Sequence, residues 1–316
     1  MKLRLNYCLK SLSRHFSQTA SSSSPKLSYV HGASTVPLLC STIGQVLEET
    51  TEQFPDREFL IFPHQNIRKN FQQFQAEAEK LASGFLSLGF QPGDRLGIWA
   101  PNYYEWVLTQ FASAMAGLVL VNINPAYKVQ ELDYCIRKVE MSGMVIADTF
   151  KTQDYYEMLF QLCPELATGK PGTWHNAKYP YLKHIMTLGP EEKPGCWKFD
   201  SIAKEAGDSS SLNRVNQLRS ETQPDMPANI QFTSGTTGSP KGATLSHHNI
   251  VNNAYFLGRR LNYDKERVVL MSAPPLYHCF GCVAATLSCS IHAGTVVYAD
   301  AGFLPGASIE AISKFK

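Results

Sequence analysis

Residues 233–242 read TSGTTGSPKG, placing five hydroxyls, three glycines and one lysine in ten positions. Such a run has almost nothing to bury in a core, and its glycines remove the Cβ barrier to unusual backbone angles. A Gly/Ser linker would share the composition, but Pro240 fixes a bend and Lys241 a charge, and the flanks read as a strand before and a helix after. A glycine-rich turn between strand and helix gathers free N–H groups, and the helix start adds partial positive charge. Hydroxyls from Thr233, Ser234, Thr236, Thr237 and Ser239 add donors, Gly235 and Gly238 add freedom, and Lys241 adds a full charge. Together they suit a polyphosphate. The pattern G-x-x-x-x-G-K-[ST] of P-loop NTPases is not met, because Gly235 opens G-T-T-G-S-P-K-G, with no hydroxyl after the lysine.

Other reactive side chains carry weaker patterns. Cys279 and Cys282 form a C-x-x-C with Cys289, His278 and His292 nearby, a set that could hold zinc or do redox chemistry. A structural zinc site brings a second well-spaced pair, and CVAATLSCSIHAG reads instead as an apolar helix entering a strand. His247 and His248 are neighbours, about 100° apart on a helix, which makes a poor metal pair and places them as solvated helix positions. Asp94 and Arg95 follow a Pro-Gly turn and read as turn and strand start; Trp99 and Trp106 read as core.

The elements that must hold these residues alternate. EFLIF (58–62) predicts a strand, and Phe71, Phe74, Ala78, Leu81, Phe85 and Leu88 recur at helical spacing until Gly89 ends the run. QPGD turns into the strand RLGIWA (95–100), after which Asn102 can cap a helix with Glu105 completing a capping box. LVLVNI (118–123), MVIAD (144–148), HIMTL (184–188) and NIQF (229–232) are further strands, and Leu132, Ile136 and Val139 mark a helix. The polar stretches 168–180 and 204–228 read as surface loops. Ser246 is placed to cap a helix over 247–261. Strands alternating with helices imply an α/β fold, parallel sheets covered by helices.

Composition sets the outer limits. With 316 residues, 44% hydrophobic and 18% charged, the chain can bury a substantial core, and a net charge of +2 gives no footprint for nucleic acid. The charge is uneven: no Asp or Glu precedes Glu48, while Lys2, Arg4, Lys10, Arg14 and Lys26 are basic. Leu5, Cys8, Leu9, Leu12 and Phe16 share one helical face, so residues 1–26 read as an amphipathic, acid-poor transit peptide with a Ser-rich linker, cleaved after Phe16 or a little later, and the expected compartment is the mitochondrial matrix. Cys135, Cys163 and Cys289 lie in apolar patterns, as buried free thiols do. No apolar run reaches the length of a membrane span, so no transmembrane segment is expected.

FTSGTTGSPKG (232–242) resembles the phosphate loop of the adenylate-forming superfamily, which includes acyl-CoA synthetases, firefly luciferase and peptide-synthetase adenylation domains. GDRLGIWAPNYYEWV (93–107), AGLVLVNINPAYKVQEL (116–132) and PLYHCFG (275–281) are similar to family segments in the same order. The likeness runs from about Thr42 to the last residue, so residues 42–316 are expected to be the N-terminal large-domain portion of the adenylate-forming fold, and within the superfamily the likeness is to the mitochondrial medium-chain acyl-CoA synthetase branch. The resemblance implies a two-step reaction with Mg2+-bound ATP and coenzyme A as co-substrate: a fatty acid becomes an acyl-adenylate, then an acyl-CoA. It implies that Thr233, Ser234, Gly235, Thr236, Thr237, Gly238, Ser239, Pro240 and Lys241 close over the β- and γ-phosphates. It also implies that Tyr277 and His278 border the acyl pocket, with Gly281 allowing close backbone approach. Small molecules are the expected partners. The family pattern continues with an adenine-contacting segment, a ribose-binding aspartate and a small C-terminal domain carrying the adenylation lysine, none of which this sequence contains. The expectation is therefore an incomplete domain that forms no thioester alone; the alternative to a ligase is a fragment or splice form that acts at most as a phosphate-binding or interaction protein.

Overall fold

In a computed structural model, the described residues are 34–205, 209–233 and 239–315. The chain divides into two units, Met1–Leu38 and Leu39–Lys316. Of the first, residues 34–38 are described, and the Ser34 hydroxyl donates to the Val36 carbonyl. The N-terminal transit-peptide reading lies outside the described residues.

The second unit runs α1 (Ile43–Gln53), β1 (Glu58–Phe62), β2 (Ile67–Asn70), α2 (Phe71–Ser87), β3 (Arg95–Trp99), α3 (Tyr104–Met115), β4 (Val119–Asn122), α4 (Val129–Lys138) and β5 (Gly143–Ile146). A short hairpin β6–β7 (Thr149–Phe150, Gln153–Asp154), α5 (Tyr155–Phe160), β8 (His184–Thr187), β9 (Trp197–Lys198), α6 (Phe199–Glu205) and α7 (Ser209–Glu221) follow. Then come β10 (Pro227–Thr233), β11 (Lys241–Ser246), α8 (His247–Arg260), β12 (Val269–Met271), a π-helix (Phe280–Leu287), α9 (Ser288–Ile291), β13 (Thr295–Val297) and α10 (Pro305–Lys314).

Among the described residues the strands form a seven-stranded sheet, ordered β11-β10-β4-β3-β5-β8-β9, and a four-stranded sheet, ordered β12-β13-β1-β2. The large sheet is parallel except for β11, and in the small one β2 alone runs antiparallel to its neighbour. β4 and β5 are buried along their whole length, as strands covered on both faces must be. Helices α2 and α3 join the two sheets: Phe59 of β1 stacks on Phe71 at 4.6 Å and meets Phe74 and Phe111 edge-on. Helix α3 is accordingly apolar and buried on nearly every side, the pattern of a helix with no solvent face. Trp99 and Trp106 are both fully buried in this core, as expected.

The strands at 58–62, 95–100, 118–123, 144–148, 184–188 and 229–232 are found close to their expected bounds, and Gly89 ends α2 at φ +94°. Four readings need correction. The phosphate-loop candidate is followed by a strand, not a helix, because KGATLS pairs antiparallel with β10. Residues 204–228 contain the helix α7, whose Val215 and Leu218 are buried. In 168–180, Trp174, Asn176 and Tyr179 are buried, so this is not simply a surface loop. Asn102 does not cap α3. The cap position is Tyr103, and the Gln65 carboxamide oxygen accepts from the Tyr104 N–H at 2.7 Å while its nitrogen donates to Glu105.

Candidate functional site

The cavity that matters here is built from chain that leaves the carboxyl ends of parallel strands in both sheets. Asn102 follows β3, Lys128 follows β4, Gln153 follows β5, Tyr277 follows β12 and Phe303 follows β13; all five line a space of about 470 Å³. In open α/β sheets this edge is where crossover loops diverge and ligands find room. Asn102 ties the loops together: its carboxamide oxygen accepts from the Leu276 N–H at 2.8 Å, and its backbone N–H donates to Ala301 O. Lys128 and Lys151 are exposed at the cavity and none of the described residues lining it is acidic, so the local charge favours an anion. Gln153 is buried, donates its amide to Pro125 O, and leaves its carboxamide oxygen without a partner among the described residues.

The glycine- and hydroxyl-rich loop grows from the same edge. β10 and β11 hold its two ends in register, Thr233 opposite Lys241, and the Thr233 hydroxyl donates to Lys241 O at 3.5 Å. Tyr134 of α4 braces the exit by donating to Pro240 O at 2.9 Å. Thr233, Ser239 and Lys241 are exposed and Pro240 is half-buried. Ser234, Gly235, Thr236, Thr237 and Gly238 lie outside the described residues. Because α8 starts at the far end of β11, its dipole is not directed at this loop; among the described residues Lys241 is the loop's cation.

Tyr277, His278 and Gly281 are brought to this edge by a relay of buried amides. Asn229 donates to Asn122 Oδ1 at 2.8 Å, Gln231 donates to Asn229 Oδ1 at 2.8 Å, and Asn122 donates to Tyr277 O at 3.1 Å. Asn122 and Gln231 also donate to Cys282 Sγ, at 3.6 and 3.7 Å. Polar side chains at buried strand positions need such partners. Tyr277 is half-buried against the cavity, while His278 is exposed, with Nδ1 accepting from the Phe280 N–H at 3.1 Å. Gly281 is the second residue of the π-helix, and a Cβ on it would lie 2.3 Å from Pro275 O, a close approach of backbone to backbone. π-Helical turns of this kind recur at functional sites.

The remaining candidates have structural duties. Burial pushes the Cys282 thiol up to about 12, so it stays protonated as an acceptor inside the relay; Cys289 is likewise buried and pushed up to about 12. Asp94 accepts from the Gln91 N–H and the Ser142 hydroxyl, and Arg95 donates to the carbonyls of Gly93, Val139 and Glu140, as a turn and strand start do. His247 is a correction. It is 1% exposed rather than solvated, its Nδ1 accepts from the Ile43 N–H at the start of α1, and burial lowers its pKa to about 4.

The residues missed from sequence are the amides Asn122, Asn229, Gln231 and Gln153 and the lysines Lys128 and Lys151. The amides had a signal: polar residues inside otherwise apolar strands (VLVNI, NIQF) must find buried partners.

A parallel α/β domain with a glycine-rich hairpin loop and a cation-edged cavity at its strand ends is the architecture this site defines. The family model for AMP-binding enzymes matches residues 47–316, and the chain belongs to that family. It is 46% identical over 290 residues to the medium-chain acyl-CoA ligase ACSF2, mitochondrial, of Danio rerio, covering 92% of this chain and 48% of that protein. The Mus musculus protein of the same name is 44% identical over 293 residues, with 92% and 48% covered. The apo structure of Mycobacterium smegmatis MbtA superposes with a TM-score of 0.71 at 21% identity, covering 88% of this chain and 47% of that one. The chain thus spans about half the length of the relatives it matches. The adenylate-forming resemblance and the α/β fold are borne out.

Proposed function

We propose that this chain supplies the ATP-phosphate and acid-binding half of an AMP-forming acid–CoA ligase for medium-chain fatty acids. The observation that carries the reading is the convergence at one sheet edge of the hairpin ending in Thr233 and Lys241 and the cavity bordered by Tyr277, tied through Asn122 and Gln231. In the first step an oxygen of the fatty acid carboxylate attacks the α-phosphorus of Mg-ATP, the bond to the bridging oxygen breaks, and pyrophosphate leaves. In the second, the thiol sulfur of coenzyme A attacks the acyl carbonyl, the bond to AMP breaks, and the thiol proton passes to solvent. The 233–241 loop would donate hydroxyls and N–H groups to the β- and γ-phosphates, with Lys241 offsetting charge on the departing pyrophosphate. Magnesium arrives with the nucleotide as substrate; it prefers phosphate and water oxygens to an all-protein cage, consistent with a cavity in which no described lining residue is a carboxylate. The cavity suits an elongated, mostly apolar substrate arm whose anionic end meets Lys128 or Lys151.

Titration calorimetry of the purified chain with Mg-ATP, then octanoate-dependent ATP–pyrophosphate exchange, tests this. Lys241→Ala is expected to weaken Mg-ATP binding about tenfold or more. Binding without exchange assigns the chain phosphate recognition alone, and equal affinity of wild type and variant overturns the loop's role. The acid-free, basic N-terminus and the mitochondrial names of the relatives support import into the matrix through residues 1–26. A fusion of that segment to a fluorescent reporter that stays outside mitochondria would refute it.

A further inference from the structure

A second cavity, of about 550 Å³, opens at the opposite, amino-terminal ends of β3, β4 and β10, flanked by α7. Its volume falls within the roughly 300–1,000 Å³ of small-molecule sites. Val119, Leu218, Met226 and Ile230 give it an apolar wall. The polar groups among the described lining residues are Arg95, Arg214, Thr222, Thr244, His247 and one carboxylate, Glu221, whose two oxygens already accept from Arg214 and Gln217. His247 lines the cavity; since Nδ1 accepts from Ile43, the proton sits on Nε2, which has no hydrogen-bond partner among the described residues. Thr222, also in the lining and 8% exposed, has a hydroxyl with no partner among the described residues. Arg214 spends one nitrogen on Glu221 at 2.9 Å, in a pair with side chains 40% and 45% exposed, a contact worth little and easily shared. Arg95 is held at the rim by the carbonyls of Gly93, Val139 and Glu140, with its charge offset by the Glu140 carboxylate at 3.5 Å.

A buried imidazole with an unused N–H, beside a hydroxyl and a half-solvated guanidinium on an apolar wall, calls for a ligand with an apolar body and an acceptor-rich anionic head. We infer that this cavity is a binding site for an apolar monocarboxylate, such as a medium-length fatty acid, separate from the substrate cavity and independent of the ligase reading. The carboxylate lies against Arg214 and the His247 Nε2–H, and the chain lies along Val119, Leu218 and Ile230. Both cavities accept acids under the two readings, so the test must locate the label.

A ten-carbon fatty acid carrying a diazirine is photolysed with the full chain, and the labelled peptides are mapped by mass spectrometry. Saturable labelling within residues 214–230 or 244–247 is expected, and not within the 233–241 loop. Decanoate should displace it about tenfold better than decanol. Arg214→Glu, at a half-buried position, and Met226→Glu, at an exposed one, should each reduce labelling about tenfold, whereas Lys151→Glu at the other cavity should leave it unchanged. Labelling confined to peptides containing Phe150–Gln153 or Ala273–Tyr277 overturns the inference while leaving the ligase reading intact. So does labelling that does not saturate, or equal competition by decanol.

Discussion

Gly281 sits where a methyl group has nowhere to go. A Cβ there would lie 2.3 Å from the Pro275 carbonyl oxygen, 2.6 Å from its carbon and 3.0 Å from Leu276 Cα. All three are backbone atoms of the loop that carries Tyr277, and that loop is pinned by Asn102 and Asn122. A side chain could rotate away; this backbone cannot without breaking those bonds. Gly281→Ala is therefore expected to cost about 1–3 kcal/mol or more, seen as a lower urea midpoint at unchanged m-value. An unchanged midpoint would mean that the 275–281 loop yields freely and is not rigidly placed. Cys282, one residue on, shows how a chemically suggestive residue can be absorbed by its surroundings. Fully buried and accepting from two amides, its thiol has neither the ionisation nor the access that metal ligation or redox exchange requires.

Helix α3 shows that the group that satisfies a helix start need not be local in sequence. The Gln65 carboxamide accepts from the Tyr104 N–H and donates to Glu105 Oε2 at 2.8 Å. Burial raises the Glu105 pKa, with the Gln65 hydrogen bond opposing the rise. Gln65→Ala should cost about 1–2 kcal/mol as a lost cap, while Asn102→Ala should leave the helix start intact and loosen the 274–276 loop instead. Amide hydrogen exchange at Tyr104 and at Leu276 separates the two; faster exchange at Tyr104 in Asn102→Ala would restore the sequence-based capping assignment. That assignment failed because Asn-x-x-Glu is a local pattern, whereas both side chains have better partners far along the chain. Parallel strands such as RLGIW and GMVI were legible because burial on both faces leaves an unbroken apolar run. Helix α7 was obscured by its Ser and Asn content, although Leu212, Val215 and Leu218 recur every third residue. β11 was missed because KGATLS has no large apolar alternation; its place is set by pairing with β10. The phosphate-loop candidate was plain from composition alone. The amide relay behind it needed the fold, since Asn122, Asn229, Gln231 and Cys282 meet only when β4, β10 and the π-helix are packed.

At the scale of the whole molecule, buried imidazoles should set the acid limit of stability. Burial holds both His247 and His184 at about 4, against an ordinary value near 6.5; His184 packs on Phe90, with its Nδ1 unpartnered among the described residues. Between these pH values the unfolded chain binds protons that the folded chain refuses, so stability falls as pH falls. The contribution is fully present above about 6.5 and is lost progressively on acidification through about 4, on the order of 3 kcal/mol for each histidine. Glu105 works the other way. Its raised pKa lets the folded state take up a proton first, recovering some stability over the same descent. Asp133 is held well below the usual carboxylate range by Arg137, with Lys178 and Tyr179 assisting, so the stability it contributes is lost mainly at more acidic pH. The net expectation is a melting temperature that declines from pH 7 to pH 4.5. His247→Asn, which keeps an acceptor for the Ile43 N–H without a titrating ring, should flatten that slope while changing the neutral value little. A slope identical in wild type and variant would show that His247 takes its proton without unfolding, and that the space around its Nε2 is open enough to solvate a charge.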